Sequence, residues 1–296
     1  MRFSTVILPV RRWHEGGRAQ WERAEALGLL AAYTYDHLSW RSFRDRTWFA
    51  AVPTLTVAAA VTSRLRLGTL VTSPNFRHPV TLAKDLVALD DVSAGRITLG
   101  IGAGTEGFDA TALGQQPWSR RERSDRFARF VALLDELLRR PAVTSAGTYY
   151  SADEARNIPG CVQRPRLPFA VAATGPRGLQ AAATYGQAWV TTGDPALDGS
   201  GTPAESLAAI RAQLGRLDEA CAEAGREVPE RIFLAGTAPG VAEAMSSLDA
   251  FVDFAGLYAA IGITELVVHA PVPDSLYAMD DALYETLLTE APHQLH

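Results

Sequence analysis

The sequence predicts a (β/α)8 barrel, a TIM barrel formed as a single domain over residues 1–296. Three observations point there: short β-branched runs alternate strictly with longer stretches of helical period, each kind numbers eight, and the chain is long enough to close such a barrel as one unit. A doubly wound sheet commonly has fewer strands and reverses its winding, so strict eightfold alternation argues for closure.

The strand-like runs and the helical stretches that follow them occur in order. Residues 3–9 precede a helical stretch at 18–27, 31–35 precede 47–62, 65–71 precede 80–92, and 97–101 precede 120–139. The second half continues with 169–173 before 177–185, 188–191 before 204–224, 232–235 before 241–261, and 266–269 before 274–288. Gly28, Gly225 and Gly262 fall just past three of these helices, where a left-handed cap is usual. Residues 141–168 carry glycines and prolines without helical period and read as an excursion between units four and five; loops of that length are often functional.

Composition narrows the partners. A net charge of −5 and a pI near 5.7 offer no general attraction to phosphate backbones or anionic lipid, so the expectation is a small-molecule partner, with no nucleic acid and no membrane. Cys161 and Cys221 belong to no metal-binding or disulfide spacing, and Arg11-Arg12 is not followed by an apolar signal core. The apolar region 48–61 is broken by Pro53 and is too short for a membrane span. A cytoplasmic protein without a metal site is expected.

In a barrel of this kind the reactive groups lie where strands end and βα loops begin. The second strand leaves as Tyr33-Thr34-Tyr35-Asp36-His37-Leu38. Histidine exchanges protons near neutral pH and a carboxylate can orient it, so Asp36 and His37 are the candidate catalytic residues. The other reading is a hydrogen-bonding pair at a loop start, because adjacent strand residues point to opposite faces unless the strand has ended. The third strand leaves through Gly68 toward Thr72-Ser73-Pro74; a glycine inside a buried strand suggests a bulge or a close approach, and an ordinary strand end is the alternative.

The fourth strand leaves through Gly102, Gly104 and Gly107, a literal GxGxxG. It lies in mid-chain and is followed by helix instead of a second strand ending in an acid, so these glycines read as making room at the barrel mouth. The fifth leaves as Ala173-Thr174-Gly175-Pro176-Arg177 directly into a helix. Its free N–H groups suit a phosphate, to which Arg177 adds a charge-assisted contact; a tight turn that binds nothing fits equally well. There is no HExxH, P-loop or GxSxG, and Trp40, Trp118 and Trp189 read as packing residues.

Several motifs then stand in one order: Asp36-His37, Arg66-Leu67-Gly68-Thr69, Pro74, Arg77-His78-Pro79, Leu82-Ala83-Lys84 and Leu89-Asp90. They continue with Ser93-Ala94-Gly95-Arg96, Leu99-Gly100-Ile101-Gly102-Ala103-Gly104 and Gln163-Arg164-Pro165. In this order and spacing the chain resembles the luciferase-like monooxygenase superfamily from the first strand to about Gly193, in particular its members that use the deazaflavin coenzyme F420.

The resemblance implies an isoalloxazine-type ring at the mouth, backed by a non-proline cis peptide that by position joins Leu70 and Val71. It implies that Ser73 contacts the ring or tail and that Ala173, Thr174 and Gly175 offer backbone donors to the cofactor phosphate, with Gly104, Thr105 and Arg177 completing the cofactor-binding set. The Asp-His pair tilts the cofactor toward F420, with FMN as the alternative.

The implied reaction is hydride transfer between coenzyme F420 and a small organic substrate, with His37 positioning substrate or relaying a proton. An FMN-dependent monooxygenase using O2 and a separate reductase is the second reading, and a non-catalytic flavin- or deazaflavin-binding barrel the third. Relatives are often dimers, so a homodimer is a candidate assembly. The chain departs from the pattern at Thr105, where a tryptophan or an acid is common, at Thr174-Gly175, where Gly-Gly is common, and at Gln187, where an Asp is common.

Overall fold

The computed structural model describes residues 1–197 and 200–295. Among the described residues there are ten strands: β1 (Arg2–Val6), β2 (Ala31–Thr34), β3 (Arg66–Thr72), β4 (Ile97–Gly102), β5 (Ala142–Ser145), β6 (Ala152–Arg156), β7 (Phe169–Ala172), β8 (Ala188–Thr191), β9 (Glu230–Leu234) and β10 (Glu265–His269). Eight of them close a parallel barrel in the order β1-β10-β9-β8-β7-β4-β3-β2. These eight are the runs read from the sequence.

The helices are α1 (Gly17–Ala26), α2 (Ala51–Val61), α3 (Pro79–Val92), α4 (Arg120–Arg139), α5 (Pro176–Tyr185), α6 (Pro203–Glu223), α7 (Val241–Ala244), α8 (Leu248–Ala260) and α9 (Asp281–Gln294). No helix among the described residues is long and apolar enough to cross a membrane. Gly28, Gly225 and Gly262 all take positive φ, 72°, 62° and 98°, as helix-ending caps require.

Strand alternation sorts the apolar residues into two layers. One face packs inside the barrel, with Val6, Tyr33, Leu70, Val190, Leu234 and Val267. The other packs under the helices, with Ala32, Leu67, Ile101, Val171, Trp189 and Phe233.

Three helical readings are corrected. The stretch 47–62 becomes helical only at Ala51, because Ala50 is extended and the Phe49 N–H is tied to the Pro9 carbonyl at 2.8 Å. The stretch 241–261 is two helices: Ser246 Oγ donates to Glu243 O at 2.6 Å, and extended Ser247 begins α8 by accepting the Ala250 N–H. The stretch 274–288 becomes helical at Asp281, where the Asp280 carboxylate accepts the Leu283 N–H at 2.8 Å. In the last two cases a local cap outweighs helical periodicity, and in the first a long-range backbone hydrogen bond does.

The excursion contains the antiparallel β5–β6 hairpin and two cis prolines, Pro159 and Pro165. It is held to the barrel floor by Gln163, whose backbone N–H and side-chain amide donate to the two Asp90 oxygens at 3.0 and 2.7 Å; the amide also reaches Ile97 O at 2.8 Å. Arg96 closes the neighbouring corner, donating to Ala59 O, Thr62 O, Leu65 O and Ser93 O at 2.7–2.9 Å. Gln187, at one departure from the family pattern, accepts from the Phe169 N–H and Arg166, both at 3.0 Å. A neutral amide oxygen therefore does there what a carboxylate oxygen can do.

The close approach expected at Gly68 is present and is shared with Gly100. A Cβ on Gly100 would lie 2.0 Å from Thr69 O, and one on Gly68 2.3 Å from Thr98 O, both backbone atoms. The register between β3 and β4 shifts between Thr69 and Thr72. Backbone cannot yield as a flexible side chain can, so Gly100→Ala is expected to destabilise the fold by roughly 1–3 kcal/mol or more. Gly215→Ala, in exposed α6 with nothing within 4 Å of the added methyl, is expected to stabilise by about 0.5–1 kcal/mol. Chemical denaturation of both variants checks the opposite signs.

Candidate active site

The mouth is built from the exits of the parallel strands. At the β2 exit Tyr35 turns inward, Asp36 outward and His37 inward. Asp36 is 1% exposed and accepts from Thr72 Oγ1 at 2.8 Å and from Arg77 at 2.6 and 3.1 Å. The expected Asp36–His37 pair is therefore not formed. Asp36 instead anchors the β3 exit through its ion pair with Arg77.

The carboxylate that does meet His37 comes from the loop after β4. Asp109, 4% exposed, accepts from His37 Nδ1, and its other oxygen accepts the Leu38 N–H at 2.6 Å. A carboxylate on Nδ1 assigns the proton to that nitrogen and leaves Nε2 the lone pair. Nε2 has no hydrogen-bond partner among the described residues. Trp40 stacks on the imidazole at 4.3 Å between centroids, and Trp48 Nε1 donates to His37 O at 2.7 Å. Asp109 and Trp40 thus set the ring's orientation, and Trp48 fixes the backbone beneath it.

Across the β1 exit stands a second imidazole that the sequence reading did not select. His269 closes β10, stacks on Tyr277 at 3.8 Å and lies 2.9 Å, through Nε2, from the Tyr35 hydroxyl. Burial disfavours its charged form and pushes its pKa down to about 3. It is neutral at physiological pH.

The opposite half of the mouth is made of small residues. Gly102 on β4 and Ala172 on β7 are neighbours in register, and a Cβ on Gly102 would lie 3.5 Å from the Ala172 methyl. Leu70 and Val71 are joined by a cis peptide, at the bond expected. Ser73 Oγ and Asn75 Oδ1 are buried with no hydrogen-bond partner among the described residues. Buried polar atoms are nearly always paired, so two such atoms at one strand exit suit a ligand bearing donors.

Several expected cofactor contacts change character. A Cβ on Gly104 would meet the Asn75 amide at 2.8 Å, and Asn75 Nδ2 donates to Thr105 O at 3.0 Å, so the room these glycines make is occupied by the chain leaving β3. The Thr105 side chain faces its own exposed loop and accepts the Gly107 N–H at 3.3 Å. The Ala173 N–H donates to Val190 O at 3.4 Å, while Trp189 Nε1 donates to Ala173 O at 2.8 Å. Arg177 is paired with Asp125 on α4 and half exposed, drawn to a fixed carboxylate instead of inward.

What remains for an anion is the turn at Thr174 and Gly175 with the first-turn N–H groups of α5. A Cβ on Gly175 would meet nothing within 4 Å, whereas one on Gly178 would meet the Ala173 methyl at 2.7 Å. The turn is open at its rim and close-packed behind.

Comparison with known proteins adds four likenesses. A family model described as luciferase-like monooxygenase matches residues 1–256. An F420-dependent glucose-6-phosphate dehydrogenase of Beutenbergia cavernae is 38% identical over 174 residues, 57% of this chain and 50% of that protein. The 4-hydroxyprotoasukamycin monooxygenase of Streptomyces nodosus subsp. asukaensis is 31% identical over 262 residues, 85% of this chain and 67% of that protein. This chain thus spans about half the length of the dehydrogenase and two thirds of the monooxygenase. Among solved structures, an F420-dependent secondary alcohol dehydrogenase in complex with an F420-acetone adduct superposes with a TM-score of 0.82 at 16% identity, covering 100% of this chain and 99% of that one. That last likeness is one of fold.

His269 makes stability depend on pH. The unfolded imidazole binds a proton near pH 6.5 and the folded one only near 3, so this contribution is complete above pH 6.5 and is lost as pH falls toward 3. Between pH 7 and pH 5 the loss is about 2 kcal/mol. Chemical denaturation at the two pH values is expected to show that difference in the native protein and a flatter dependence in His269→Gln.

Proposed function

The chain belongs to the luciferase-like monooxygenase family, and on that premise we propose that it is an oxidoreductase transferring hydride between coenzyme F420 and a small organic substrate at the barrel mouth. The observation that carries this reading is the His37–Asp109 pair, a fixed imidazole with Nε2 unpaired beside a wall of small residues. Relatives named F420-dependent dehydrogenases, 31–38% identical to this chain, support the cofactor. Cys161 and Cys221, both free and buried, fit the reducing conditions of a cytoplasmic enzyme.

The residues fit the group. Gly102 and Ala172 would leave room for a planar ring, Ser73 Oγ and Asn75 Oδ1 would accept from its donors, and the Thr174–Gly175 turn would take a phosphate at the start of α5. When bound, the deazaflavin supplies the hydride donor or acceptor. His37 Nε2 accepts the hydroxyl proton of an alcohol as its carbon loses hydride, and returns that proton to a carbonyl oxygen in the reverse direction. Asp109 holds the imidazole in the tautomer that permits this and stabilises its charged form. Asp36 is a positioning residue: with Thr72 and Arg77 it holds the β3 exit on which Leu70, Val71 and Ser73 stand.

A second reading, an FMN-dependent monooxygenase, is supported by the 4-hydroxyprotoasukamycin monooxygenase, whose likeness runs through 85% of this chain. Fluorescence titration with coenzyme F420 and with FMN separates the two: preferential F420 binding is expected, and tight FMN binding without affinity for F420 overturns the first reading. His37→Ala is expected to lower kcat by about 10²- to 10⁴-fold with cofactor affinity unchanged. Asp109→Asn is expected to give a smaller loss in kcat. Full turnover in His37→Ala rules out the assigned proton transfer.

A further inference from the structure

The half of the mouth facing the small-residue wall is lined by rings. Tyr277 stacks on His269, His269 meets Tyr35 edge to face at 5.6 Å, Tyr35 meets Trp40 at 5.4 Å and His37 at 5.8 Å, and His37 stacks on Trp40. The five rings form one unbroken arc from the β10 exit, over β1, to the β2 exit. Tyr35 and His269 are each only 6% exposed, so the inner stretch of the arc is water-poor.

The fixed cations nearby are engaged elsewhere. Arg46 donates to the carbonyls of Asp274 and Pro273 at 3.1 and 3.4 Å, Arg44 lies over Phe108, and exposed Arg41 covers the Trp40 ring. A phosphorylated or carboxylated substrate needs a charged donor or a helix N-terminus to replace its lost hydration. Among the described residues the guanidinium placed on the arc is that of Arg41, over Trp40 at its outer end, and the buried Tyr35–His269 stretch lies inward of it. A flat apolar body, by contrast, gains both burial and ring contact there.

We infer that the substrate is uncharged, with an aromatic or other flat apolar body that packs on the Tyr35–His269–Tyr277 arc and a single hydroxyl or carbonyl presented to His37. This choice of substrate class rests on the proposed hydride transfer, but the arc's preference for neutral ligands does not. Neutral His269 fits the assignment, because a protonated imidazole in its place would favour an anion.

The test uses acetophenone and 1-phenylethanol as neutral probes and glucose 6-phosphate as the anionic one. Quenching of tryptophan fluorescence reads binding to the protein alone, with F420 and with FMN, and bleaching of F420 absorbance reads turnover of 1-phenylethanol. At least tenfold tighter binding of the neutral probes is expected in all three states. Tyr277→Ala is expected to weaken them up to about tenfold, and His269→Arg to shift preference toward the phosphate. Retained neutral preference with no F420 binding or turnover overturns the hydride-transfer reading and leaves the arc's selectivity standing. Glucose 6-phosphate binding as tightly as acetophenone, no binding of either neutral probe, or an unchanged profile in Tyr277→Ala overturns this inference.

Discussion

Between β3 and β4 the two backbones come closer than any side chain allows. Gly100 meets the Thr69 carbonyl and Gly68 meets the Thr98 carbonyl, and beyond that contact the register slips before Thr72. The slip turns the Thr72 hydroxyl outward to Asp36, leaves the Leu70–Val71 peptide at the mouth, and brings Asn75 against Gly104. The β3 side of the mouth is built around that approach. It is a steric constraint, so it admits no substitute for glycine at either position.

The approach is secured by electrostatics on its outer side. Asp36 and Arg77 share a buried bidentate contact, an arrangement that is costly to break because one partner would be left charged and unpaired. Two neighbours in sequence consequently serve different ends: Asp36 fixes the scaffold and His37 faces the site. Asp109 completes the separation by reaching His37 from 72 residues away. The mouth thereby acquires two unlike halves, one of small residues and open N–H groups, the other of rings, with an imidazole oriented between them.

Much of the fold was legible because its signals are local. Short apolar runs rich in β-branched residues, set between stretches of helical period, marked all eight barrel strands, and three glycine caps marked helix ends. The errors fell where a capping side chain competed with helical period, at Ser246-Ser247 and at Asp280. Many of the ordered motifs prove to be structural: Asp90, Arg96 and Gln163 tie the barrel floor together and touch no part of the mouth.

By itself the sequence determined the barrel, the eight strands that close it, the place of His37 just past the second strand, and the bond at Leu70–Val71. These follow from repeated local pattern or from motifs contiguous in the chain. Only the tertiary structure decided that Asp109 and not Asp36 holds His37, that Arg177 is taken by Asp125, and that His269 and Tyr277 join Tyr35 in a continuous arc. Each of these contacts bridges residues far apart in the chain except His269 with Tyr277. Which partner a side chain meets across a closed barrel depends on strand register and on which face it takes, and neither is written in the residues beside it.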